Sequence, residues 1–271
     1  MHHTEGAEQA VLDHLAAALT GHKGMEKLNI YNVPLATRAV VDALVDALIS
    51  AGIKVAFFGD CGLSPTALPA LTRLLQSPGF ERLSVENDRA ALFEGPSLPA
   101  FCEALRNCKS LKKMELEIVN LWDDLAAALQ LIAALEGLPT LQLLSLYDNS
   151  TNGRPAVQRA AGECLARLIA RSRSLRVLVL SFNHWGEAGL APIFEALKGN
   201  VGLVELSLRT EQISADFARN VVLPAVRANT GLRYLSGLQL VEAGEEEAQV
   251  PSLREVEDIL EARRLADEEA A

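Results

Sequence analysis

Four cysteines, a histidine beside a tryptophan, one Asn-x-Thr triplet and a scatter of arginines are the residues of this chain whose chemistry could reach beyond packing. Cys61, Cys102, Cys108 and Cys164 could hold a metal, but no two have the close Cys-x-x-Cys spacing of a metal-binding pair. Cys102 and Cys108 stand six apart, a poor spacing for one helical face, so both read as packing or loop residues. His184 could act as a general base. It lies next to Trp185 in a segment that a repeat pattern explains, and reads as a surface histidine. Asn149, Ser150 and Thr151 form a glycosylation sequon, yet the N-terminal sequence has no secretion signal and Asn149 has a structural duty in its repeat. No Gly-rich phosphate loop, His-Glu-x-x-His or Gly-x-Ser-x-Gly motif is present. No catalytic residue, metal ligand or cofactor is expected.

Those residues belong to a chain of 271 residues, 49% hydrophobic and 22% charged, long enough for one large core or two small ones. Its apolar runs fall far short of the about 18 to 20 residues that cross a bilayer, so no membrane partner is expected. Sparse cysteines suggest reduced thiols and a cytoplasmic or nuclear compartment. The formal charge is −10, but residues 241–271 carry eleven Asp and Glu against three Arg, which leaves the remainder nearly neutral. A nucleic-acid binder needs a basic stripe to neutralise phosphate. None is visible, and nucleic acid is not an expected partner.

The elements that must position any site are repeated. A pattern of the form LxxLxL begins at Met25, Ile53, Phe80, Leu111, Leu141, Leu175, Leu203 and, imperfectly, Leu232, with spacings of 28, 27, 31, 30, 34, 28 and 29 residues. Each begins with alternation of period two, a short strand, and ends with apolar residues at i, i+3 and i+4, a helix. One such unit cannot bury both of its apolar faces. Stacked in register, the units share a continuous core. The position eight after each start, at the bend, holds Asn183 and Asn149, and elsewhere Val33, Cys61, Asp88, Val119 and Glu211. A buried asparagine can satisfy backbone groups there with both its carbonyl and its amide. Gly186 and Gly189 are expected to let the chain turn into the helix.

NHWGEAGLAPIFEALKGNVGLVELSL, residues 183–208, resembles the Asn-x-x-Gly-x-x-Gly…Ala-Leu…Asn-x-x-Leu pattern of leucine-rich repeat proteins of the long, ribonuclease-inhibitor-like subtype. The resemblance implies an α/β solenoid, a horseshoe with parallel strands on the concave face and helices on the convex face. It also implies protein recognition, the main task of that subtype, with activation of the Ran GTPase in one branch. The expected organisation is an N-terminal capping helix within residues 1–24, about eight repeats over 25–240, and an acidic linker with a C-terminal helix over 241–271. Val11, Leu12, Leu15 and Leu19 would face the first repeat. Leu253, Val256 and Leu260 would form a shield at the other end.

Function is then expected on the strand face, where side chains between the repeat leucines point away from the core. The middle repeats carry charge there, at Arg82, Lys113, Glu115 and Glu117. Later repeats carry an apolar block of Leu143, Tyr147, Val177 and Val179, with Phe182 at its rim. Contiguous exposed apolar surface marks an interaction site. The expected function is non-enzymatic binding of another protein, with Glu205, Arg209 and Tyr234 extending the surface. The long repeat at Leu141 places its excess in residues 150–155, expected as a rim loop that orders on a partner through Arg154. Two rival functions are GTPase activation of the Ran-regulator type, through an arginine such as Arg82 or Arg209, and an oligomerising array that docks through its helices. The oligomeric state is open.

Overall fold

The computed structural model describes residues 24–35, 37–87, 91–240 and 251–270, together with His14 and residues 17–19. Most of the expected capping helix, including Val11, Leu12 and Leu15, and all of 241–250 lie outside the described residues, as does Asp88. Leu19 is buried.

The chain divides into two compact units. In the first, Met1–Leu141, strands β1 (Lys27–Tyr31), β2 (Val55–Gly59), β3 (Arg82–Glu86) and β4 (Lys113–Glu117) alternate with helices α1 (Arg38–Ala51), α2 (Leu68–Gln76), α3 (Leu98–Asn107) and α4 (Leu125–Leu135). The strands pair in parallel and in chain order, with Lys27 opposite Val55, Val55 opposite Arg82 and Arg82 opposite Lys113. In the second, Gln142–Ala271, the strands are β5 (Leu143–Ser145), β6 (Val177–Val179), β7 (Glu205–Ile213) and β8 (Tyr234–Leu240). The helices are α5 (Pro155–Arg171), α6 (Gly186–Leu197), a segmented α7 and α8 (Pro251–Glu269). Helix α7 opens as Ala215–Phe217, widens to a π-helical stretch at Ala218–Val222 and closes as Leu223–Ala228. Leu143, Val177, Glu205 and Tyr234 align across the strands.

The repeat leucines make the core. Leu83, Met114 and Leu116 in the first unit, and Leu144, Leu178 and Leu206 in the second, are fully buried between their strands and helices. Truncating any one to alanine would cost about 2–5 kcal/mol, because the stack on either side prevents collapse into the cavity.

The bends follow the asparagine logic only in part. Asn183 donates from Nδ2 to the carbonyls of Leu146, Leu180 and Ser181 at 2.8, 2.9 and 3.0 Å, and its Oδ1 accepts the Asn149 N–H at 3.2 Å. In the third repeat this work falls to Asn87, one place before the expected position. It accepts the Leu63 N–H at 2.8 Å and donates to the Leu63 carbonyl at 2.7 Å. Cys61 fills the place weakly, its thiol 3.2 Å from the Gly59 carbonyl. Glu211 does something different. Strands β7 and β8 run on past the bend, pairing Glu211 with Leu238 and Ile213 with Leu240 after a register shift, and the Glu211 carboxylate turns to the start of α6.

Two expectations about loop and glycine are corrected. Of the two glycines, Gly186 has positive φ (55°), whereas Gly189 lies inside α6, where its carbonyl touches the site a side chain on Gly162 of α5 would need. Close approach of α5 and α6 requires a glycine at 162, and a Cβ at 189 would itself lie 3.0 Å from the Gln158 carbonyl oxygen. The extra length of the fifth repeat goes largely into α5, 17 residues long, which starts at Pro155 itself. Thr151 is fully buried: its N–H donates to the Asn183 carbonyl at 2.8 Å and its hydroxyl to the His184 carbonyl at 2.7 Å. Thr151 is thus held by the next repeat, while Asn152, Gly153, Arg154 and Pro155 stay exposed.

Helix α8 packs Val256 and Leu260 inward, while Leu253 stays half-buried. Arg263 donates to the carbonyls of Val226, Asn229 and Leu232, at the end of α7 and in the loop after it.

Candidate functional site

The strand face of the second unit begins with a row set by register. Leu143, Val177, Glu205 and Tyr234 stand side by side, and beneath them follow Ser145, Val179, Ser207 and Ser236. Leu143, Val177 and Val179 are half-exposed. Nothing in the core requires them, because the core side of these strands is already filled by Leu144, Leu178 and Leu206. Tyr147 and Phe182 adjoin them, with ring centroids 5.0 Å apart and planes tilted by 55°. Phe182 is held in the left-handed region (φ 63°), an unusual backbone for an aromatic residue. Its N–H donates to the Arg209 carbonyl at 3.0 Å, which fixes the ring at the edge of the patch.

The serines that strand alternation would also turn onto this face are instead covered. Ser145, Ser181 and Ser207 are buried, and the Ser181 and Ser207 hydroxyls lie 2.9 Å apart, with Ser236 donating to Ser207 at 3.2 Å. Ser181 also accepts the Arg209 N–H at 3.1 Å. Short hydroxyls between longer neighbours satisfy each other and leave the apolar side chains as the accessible surface.

The remaining residues expected at the site divide. Arg209 is exposed and Glu205 half-exposed at the margin of the patch. Tyr234 is exposed, and the Arg264 guanidinium of α8 lies over its ring, 5.3 Å from the centroid. Part of that surface is therefore occupied from within the chain. Arg154 is exposed but tied back, with Nε 3.2 Å from the Thr151 carbonyl.

Beneath the bend lies a group the sequence pattern did not single out. Glu211 is 2% exposed, and its Oε2 accepts the Trp185 N–H at 2.7 Å at the start of α6, while Oε1 is buried without a partner. Glu187 of α6 reaches back to the Ser214 N–H at 2.7 Å. The two carboxylates brace neighbouring repeats in place of an asparagine. Burial pushes the Glu211 carboxyl above its usual range, against the lowering pull of the backbone N–H groups around Trp185. The only sign of this in the sequence was an acidic residue where an asparagine belonged.

In the first unit the strand face carries a charged cluster on β3 and β4. Arg82 holds Glu115 through two nitrogens, at 2.7 and 3.0 Å, and Ser84 donates to the same carboxylate. An arginine so engaged is not free to reach a transferring phosphate. All four cysteines are buried, and burial pushes the Cys102 thiol up to about 11. Among the described residues no group of His, Cys, Asp and Glu could hold a metal ion, and no helix is long and apolar enough to cross a membrane.

The fold is a parallel α/β repeat of the leucine-rich type. No protein-family model and no curated protein matches the chain. Among solved structures it is similar to the tropomodulin C-terminal domain of Caenorhabditis elegans, at 18% identity and a TM-score of 0.47, over 63% of this chain and 96% of that one. It is also similar to leiomodin-1 actin-binding site 2, at 16% identity and a TM-score of 0.39, over 74% of this chain and 91% of that one. Neither likeness is close enough to bear on function.

Proposed function

We propose that this chain is a leucine-rich repeat protein of the ribonuclease-inhibitor-like subtype that binds another protein on the strand face of its second unit and catalyses no reaction. The observation that carries this reading is the apolar block of Leu143, Val177 and Val179, half-exposed at positions where the fold asks for nothing apolar. The paired, tilted rings of Tyr147 and Phe182 supply large, stiff anchors at its edge, and Glu205 with Arg209 sets orientation at its margin. Cytoplasmic residence fits buried, reduced thiols.

Replacing Val177 and Val179 together by Asp tests the reading in capture from native lysate, with each retained protein identified by mass spectrometry. Partner retention falls at least tenfold while the unfolding transition stays cooperative. Capture of the same proteins by both forms would reject the patch.

A further inference from the structure

A second surface lies on β1 to β3 of the first unit. Tyr31 is 54% exposed, and its ring packs on that of Phe57, with centroids 4.7 Å apart and planes tilted by 33°. The register places Gly59 directly beside Tyr31 and Glu86 directly beside Gly59. A side chain at Gly59 would put its Cβ 2.5 Å from the Phe57 ring and 2.7 Å from the Tyr31 ring. The two rings therefore lie over the glycine, forming an aromatic platform bordered on one side by a carboxylate. Asp60, exposed and held with φ 50° just past β2, adds a second. Among the described residues neither Asp60 nor Glu86 has an ion-pair partner, unlike Glu26, Glu81 and Glu115 nearby, which meet Lys54, Lys112 and Arg82.

An aromatic face beside unpaired carboxylates is complementary to a cation that is flat and apolar on its faces and donates hydrogen bonds from its edge. That describes a guanidinium. The molecule shows the same chemistry once already, where Arg264 lies over Tyr234 in the last repeat. Tyr31 is similarly exposed in the first repeat and carries no such cover among the described residues.

We propose that the Tyr31–Phe57 platform, with Glu86 and Asp60, is a docking site for an arginine side chain in a basic segment of a partner protein. It stands apart from the apolar patch of the second unit and does not depend on it. The guanidinium stacks on the Tyr31 ring while its edge faces the Glu86 carboxylate. Lysine fits less well, since its compact, strongly hydrated ammonium gains less from an aromatic plane.

The test titrates the full chain, labelled with ¹⁵N, with the peptide Gly-Ser-Arg-Gly-Arg-Ser-Gly and with the same peptide carrying neutral citrulline for arginine. The arginine peptide should shift the amides of Tyr31, Gly59 and Glu86, and the citrulline peptide should leave them still. Tyr31→Ala, which leaves the net charge unchanged, should weaken binding about threefold to fivefold, and Tyr31→Phe should restore it. Glu86→Gln should weaken it as well. The Val177→Asp/Val179→Asp variant should bind as the wild type does, so that failure here is separate from failure of the apolar patch. Equal affinity for wild type and Tyr31→Ala, or shifts confined to the acidic residues after 241, would overturn the proposal.

Discussion

At Arg82, Ser84 and Glu115 the strand face of β3 and β4 is closed by its own polar groups, whereas on β5 and β6 the same register positions include Leu143, Val177 and Val179. Arg82, Ser84 and Glu115 satisfy one another. The valines satisfy nothing in the chain. Both strand sets obey the same core rule, with buried leucines or methionine behind them, so the fold leaves the outward positions free. What occupies a free position reports on use rather than on folding. The units also differ in how their repeats are joined. The second uses glycine contact and buried asparagine, while the first uses Asn87 at its third bend and a thiol at its second.

The joins give the largest expected effects. Gly162→Ala forces a methyl into the Gly189 carbonyl, and backbone has no way to step aside. It should lower unfolding free energy in a urea titration by about 3 kcal/mol. Gly59→Ala in the first unit meets only ring edges that can swing away, and should cost less than about 1 kcal/mol. A similar loss from both would mean that the platform over Gly59 is as rigid as helix backbone.

Next in size is the bend. Asn183→Ala leaves three carbonyls and the Asn149 N–H without the partner they have now, a loss of about 2–3 kcal/mol. Cys61→Ala removes only weak thiol donors and should cost about 1 kcal/mol. Equal losses by thermal denaturation would show that the asparagine is no better a joint than the cysteine.

The smallest effect is a dependence on pH. Because burial raises the Glu211 pKa in the folded state, the folded protein holds this proton more tightly than the unfolded chain. Its contribution to stability is full below the ordinary carboxylate pKa and is lost as pH rises through the folded value. Glu211→Gln should remove that part of the slope and leave stability at neutral pH the same or higher. A variant whose stability keeps the wild-type slope across mildly acidic pH would show that Glu211 is not its source.

The repeat was legible because its signal is redundant: eight starts at near-constant spacing fix the strand, the helix and the buried leucines together. The apolar block on β5 and β6 could be read for the same reason, since period two assigns each residue to a face. What escaped the sequence depends on single contacts between repeats. Ser145, Ser181 and Ser207 alternate outward as exposed residues would, yet taller neighbours bury them. Asn87 took the bend one place early although β3 ends in register with its neighbours, a choice that repeat spacing does not reveal. The length excess after Leu141 looked like loop, since Ser, Asn, Gly and Pro cluster there, but Pro155 starts a helix and Thr151 is held by the next repeat. Tyr31 and Phe57 belong to different repeats, and only the bare backbone of Gly59 brings their rings into one platform.

The central claim is that the strand face of the second unit, and not the helix face, meets the partner. A photoactivatable benzoylphenylalanine placed at position 179 on β6, and separately at the exposed Arg159 position on α5, tests this directly in lysate. The account predicts a covalent adduct to one protein from position 179, absent from position 159 and competed by unlabelled wild-type chain. The same adduct from position 159 alone would contradict it.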